Sequence, residues 1–166
     1  MNVKTSRIAN IMSDTAAASP SRPTPRPRTG PEQMTDVAPR HQQRERALSL
    51  LYEAELKGEG PLQVLDALPV PPDPYVRTLI EHAVETREEA DRRIAGASVG
   101  WPLERMAVVD RIVLRMAVAE VLDPDGPPTA VVIDEAVQLA KEYSTDESGR
   151  FVNGILSTIV AEVKPA

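Results

Sequence analysis

The chain contains no cysteine, which excludes a disulfide framework, a thiolate zinc site and a cysteine nucleophile and suits a reducing cytoplasm. It also lacks a long apolar run. The longest, Val108 to Leu122, is interrupted by Asp110, Arg111, Arg115 and Glu120, so nothing in it spans a bilayer. An excess of positive charge is missing too. The formal net charge is −6, and residues 1–38 set five cations (Lys4, Arg7, Arg22, Arg26, Arg28) against three acids (Asp14, Glu32, Asp36), which leaves −8 on residues 39–166. A globally basic nucleic-acid-binding surface is therefore excluded, and any such binding must use a local patch that works against the overall field. No glycine-rich phosphate loop occurs. Of the two histidines, His41 and His82, the second falls mid-helix among acids, which suits a solvated side chain better than a catalytic base. Asp123, Asp125 and Gly126 open like a calcium loop, but the sixth position is Pro128 instead of Gly and the twelfth is Asp134 instead of Glu. The pairs Glu88-Glu89 and Asp134-Glu135 point about 100° apart on a helix, as on a solvated face. No enzyme, cofactor or metal site is expected.

What is present fits one soluble globular domain: 166 residues, 42% apolar and 27% charged. Residues 13–39 carry six prolines among Ser, Thr, Ala and Arg, a composition that cannot offset chain entropy by burial. Residues 1–38 are therefore expected to be a disordered extension with nothing to bury. Ile8 to Met12 is too short for a secretory core, the Pro-x-Pro-Arg spacing argues against a transit peptide, and Met34 is an alternative start.

From residue 39 to 163 the pattern is helical, with breakers at the joints. Helices are expected over 41–57, 62–68 and, in one long piece capped by Asp73 and opened by Pro74, from 74 to about 94. A short turn follows Trp101 and Pro102. Val108 to Leu122, apolar on most faces, reads as the central helix. Residues 129–143 read as a helix despite the β-branched Val131, Val132 and Ile133. The last helix follows Ser144, whose spacing to Glu147 is that of a capping box. The expected fold is an all-α bundle.

Positive charge concentrates in two places. Arg40, His41, Arg44 and Arg46 open the first helix, and Arg40 and Arg44 lie one turn apart, able to follow successive phosphates or simply to be solvated. Arg150 sits in the first turn of the last helix, against the macrodipole, where an anionic partner explains it better than helix stability does. Its neighbour Phe151, the chain's one Phe, is either core, at i, i+4 from Ile155, or a platform for stacking a base. Asn153 and Gly154 cost helix stability and suggest close packing or a polar contact there.

The segments Arg40-His-Gln-Gln-Arg44-Glu45-Arg46-Ala47 with Leu51-Tyr52, Val109 to Arg115, Ile133 to Lys141, and Asp146-Glu147-Ser148 leading to Phe151-Val152-Asn153-Gly154-Ile155-Leu156 resemble, in this order and spacing, the NusB family of bacterial transcription antitermination factors. The resemblance covers residues 40 to 160. It implies a compact bundle of about seven helices in two subdomains that binds the boxA element of nascent ribosomal RNA together with NusE, a small-subunit ribosomal protein, in the transcription complex. The family's RNA contacts map onto Arg40, His41, Arg44, Ser148, Arg150 and Phe151, and its NusE-facing side onto Tyr52, Glu104, Asp110 and Arg115. Some relatives open with three consecutive arginines, whereas here Arg40 is followed by His41 and Gln42. Two other readings remain: a helical scaffold or homodimer that binds protein and not RNA, and a relative of the helical domain that precedes ribosomal RNA cytosine methyltransferases.

Overall fold

A computed structural model describes Arg7, Ile8 and residues 39–165. Between residues 40 and 163 lie seven α-helices and no strand among the described residues. These are α1 (Arg40–Lys57), α2 (Pro61–Asp66), α3 (Pro74–Glu85), α4 (Arg87–Ala97), α5 (Val108–Leu122), α6 (Thr129–Tyr143) and α7 (Ser148–Val163), with a single 3-10 turn at Leu103–Arg105. Most boundaries follow local chemistry. Gly58 closes α1 in the left-handed conformation at φ 65°, Pro61 opens α2, and the Asp73 side chain accepts the Tyr75 N–H at 2.9 Å to cap α3. Two boundaries differ from the sequence expectation. The long helix from Pro74 breaks at Thr86, whose hydroxyl donates to the His82 carbonyl at 2.7 Å, a back-bond that bends helices. At α7 the capping box does not form: helical structure begins at Ser148, and the Ser148 hydroxyl instead reaches back to the Thr145 N–H at 3.1 Å.

The expected central helix is central. α5 packs on α1, α3, α4, α6 and α7 and buries eleven of its residues, Leu114 completely. Its four charges do not form a solvated stripe. Asp110 reaches the Ser148 hydroxyl on α7 at 2.9 Å. Arg111 donates to the Leu103 carbonyl at 3.2 Å. Arg115 grips Asp91 of α4 through two bonds of 2.6 and 2.9 Å. Glu120 accepts a bidentate pair from Arg44 of α1 at 2.8 and 3.1 Å and a hydrogen bond from Tyr75 of α3. Each charge ties α5 to a neighbouring element, which sets the rotation of the helix in its socket, although the buried Asp110 Oδ1 has no hydrogen-bond partner among the described residues.

The sequence expectation for residues 1–38 meets one contrary fact. Ile8, in helical conformation with Arg7, is 1% exposed and belongs to the same apolar core. The rest of that expectation lies outside the described residues. Ile8→Ala is expected to cost about 2–4 kcal/mol of unfolding free energy in urea, the range for emptying a buried aliphatic site; a loss below about 0.5 kcal/mol would mean that Ile8 fills no part of the core.

Candidate nucleic-acid interface

The starts of α1 and α7 flank the C-terminal end of α6. Tyr143, the last residue of α6, donates its hydroxyl to Glu45 of α1 at 2.5 Å, and the adjoining Ser144 lies 3.0 Å from the Ser148 hydroxyl. The two cation-bearing helix starts are thereby placed on either side of one shared support.

On the α1 side the four basic residues have separate fates. Arg40 is exposed, with its guanidinium 4.1 Å from the centre of the Tyr75 ring and donating to Gln43 Oε1 at 2.7 Å. His41 is half-buried. Its Nδ1 lies 2.8 Å from Glu135 Oε2, and its Nε2 faces Glu45 and Glu142 at 3.6 Å each. Arg44 is a correction: only 3% of it is exposed, and its guanidinium is consumed by Glu120. Burial alone would lower the affinity of this guanidinium for its proton, but the hydrogen bond and charge of Glu120 raise it further. Burial, then the hydrogen bond and charge of Glu120, push the Tyr75 pKa well above the ordinary tyrosine value, against the opposing charges of Arg44 and Arg40. Arg44 thus ties α1 to α5 inside the protein, in contrast to the exposed Arg40. Arg46 is half-buried, with its pKa lowered by that burial.

On the α7 side, Arg150 is exposed and pairs with no acid among the described residues. Ser148 is buried, its hydroxyl donating to Asp110 while it accepts from Thr145. Phe151 is half-buried: one side packs on the core and the other lines an open concavity of about 520 Å3 with Trp101, Arg105, Asp110 and Ser148. Both readings of Phe151 therefore describe part of it. Trp101, 49% exposed, and Arg105 belong to this surface, yet the sequence singled out neither as a contact. The only signal was an aromatic residue stranded in a loop after Gly100. Asn153 and Gly154 are exposed, and a Cβ at Gly154 would meet nothing within 4 Å, so the close packing expected there does not occur.

Of the four residues expected to face a protein partner, Glu104 is exposed and Tyr52 half-buried. Asp110 and Arg115 are turned inward. Asp110 is 6% exposed and bound to Ser148, and the Arg115 side chain is 12% exposed and bound to Asp91 and Glu55. Both, like the other two charges of α5, find partners on neighbouring elements.

The His41 environment makes a pH prediction. Burial pulls the imidazole pKa down, but the hydrogen bond to Glu135 and the fields of Glu135, Glu45 and Glu142 outweigh it, and the net shift is upward from 6.5. A raised native pKa contributes stability that is complete below the unfolded value and fades as pH rises through the native one. The stability difference between the parent and His41→Gln, read from urea midpoints between about pH 5 and pH 8, should shrink with rising pH; a constant difference would refute the shift.

The chain is similar to known proteins over most of its helical part. The chain is 42% identical over 139 residues to the transcription antitermination protein NusB of Streptomyces coelicolor, covering 78% of this chain and 97% of that one. It is 43% identical over 132 residues to the protein of the same name from Kineococcus radiotolerans, covering 77% and 96%. Among solved structures, T. maritima NusB superposes with a TM-score of 0.68 at 36% identity, over 75% of this chain and 92% of the other. A chain from the crystal structure of antitermination factors NusB and NusE in complex with dsRNA gives 0.63 at 30% identity, over 74% and 96%. The model of the NusB family matches residues 41–161, and with relatives of this identity and coverage the chain belongs to the NusB family.

Proposed function

We propose that this protein is a cytoplasmic, non-enzymatic transcription antitermination factor that binds boxA RNA of ribosomal transcripts together with NusE. The observation that carries the RNA reading is the concavity at the start of α7, lined by Trp101, Phe151 and Arg105, with the exposed Arg150 next to Phe151 in the chain. Aromatic faces with adjacent guanidinium groups accept splayed bases and their phosphates, and an acidic body concentrates that attraction on one edge. The NusB chain of the complex with NusE and dsRNA aligns over 96% of its length, which supports the same partners here. Glu104 and the exposed side of Tyr52 are the surface offered to NusE. Among the described residues no helix is long and apolar enough to cross a membrane, in keeping with the proposed location.

Titration of the full chain with boxA RNA, with and without NusE, tests this. If Arg40 and Arg150 each meet one phosphate, replacing both by Ala flattens the log-log salt dependence by about 1.4, from ~0.7 per single-strand phosphate. Phe151→Ala weakens binding by about 1–3 kcal/mol at unchanged salt slope, with cooperative unfolding of the mutant as the control for its core contacts. Parental affinity and slope in all variants would favour a protein-only scaffold.

A further inference from the structure

The acids around His41 have no place in an RNA-binding edge as such, because Glu45, Glu135 and Glu142 repel phosphate. We propose that His41 Nε2, Glu45 and Glu142 form a site for a single divalent transition-metal ion of the zinc type. Three ligand atoms, one from each residue, lie within 4.8 Å of one another. Nε2 is 3.6 Å from Glu45 Oε1 and 3.6 Å from Glu142 Oε2. That is too long for a hydrogen bond, and it is close to the ~3.4 Å edge of a tetrahedron of nitrogen and oxygen ligands around zinc.

The orientation of the ring separates this cluster from an acid-rich surface. Nδ1 lies 2.8 Å from Glu135 Oε2, and an ionised carboxylate only accepts, so Nδ1 carries a proton; Nε2, turned toward Glu45 and Glu142, presents its lone pair to a metal once its own proton is displaced. A histidine that binds metal through one nitrogen and donates the other N–H to a carboxylate is the usual outer-shell arrangement of zinc sites. Glu45 is held in turn by the Tyr143 hydroxyl at 2.5 Å on the same Oε1. The ligands come from the first turns of α1 and the last turn of α6, two helices locked together by this bond and by His41–Glu135. Imidazole with two carboxylates suits zinc better than magnesium or calcium, which take all-oxygen shells. Three protein ligands leave a coordination position open. Resting on the RNA reading of this edge, an open position could take a phosphate oxygen, and the cation would cancel two of the charges that oppose RNA.

The test is a zinc chloride titration of the full chain at about pH 7.5 against a chromophoric chelator. One equivalent should bind. His41→Gln should weaken it by at least tenfold, Glu142→Gln likewise, and Glu135→Gln by about 10- to 100-fold, the usual loss for an outer-shell partner. His82→Gln, at the only other histidine, should leave binding unchanged. Zinc should raise the unfolding temperature of the parent and not that of His41→Gln. Absence of stoichiometric binding, or binding that survives both His41→Gln and Glu142→Gln, overturns the site and leaves a protonated imidazole as the sole occupant of this cage. Because the titration contains no RNA, its failure is distinct from failure of the RNA reading. Zinc that binds without tightening boxA RNA would keep the site and remove its link to RNA.

Discussion

Arg44→Met is expected to destabilise the protein by about 3–5 kcal/mol, because it leaves Glu120, 7% exposed, buried without its cation. Arg44→Met combined with Glu120→Leu should recover much of that loss, since removing both ions also removes their desolvation cost. Tyr75, deprived of its acceptor, keeps the double mutant from full recovery. Urea unfolding of the parent, both single variants and the double variant provides the cycle. A loss below about 1 kcal/mol in Arg44→Met would place this arginine in solvent and restore it as a phosphate contact.

Leu114→Asp should abolish cooperative folding. Leu114 has no exposed surface and sits in the helix that touches five others, so a carboxylate there is desolvated with no partner in reach, at a cost comparable to the whole stability of a domain this size. Circular dichroism and thermal unfolding of the purified variant decide the matter. A soluble variant with a sharp transition near that of the parent would mean that α5 can expose this face.

The sequence expressed the helices well because their signals are local: Pro61 and Pro74 at first positions, Asp73 as a cap, Gly58 as a stop. The split at Thr86 escaped because its apolar stripe runs on, with Ala90 and Ile94 as buried as Val76 and Ile80, and only a hydroxyl-to-carbonyl bond marks the bend. The site was less legible for a different reason. Arg40 and Arg44 look equivalent at one-turn spacing, and which of them turns inward is decided by Glu120, 76 residues further on. Asp110 and Arg115 are held inward for the same cause, since Ser148 and Asp91 claim them from other helices. His41 and Glu45 share a helix face by spacing, whereas Glu142 joins them only after α6 has docked.

The single tryptophan of the chain stands on the rim of the concavity with Phe151, half open to water. An indole placed there makes the protein its own optical reporter. A base sliding between Trp101 and Phe151 would quench and shift its emission, and no other tryptophan would dilute the signal. Occupancy of this edge can therefore be followed in stopped flow on unlabelled protein and unlabelled RNA, which turns a question of affinity into one of arrival and residence times.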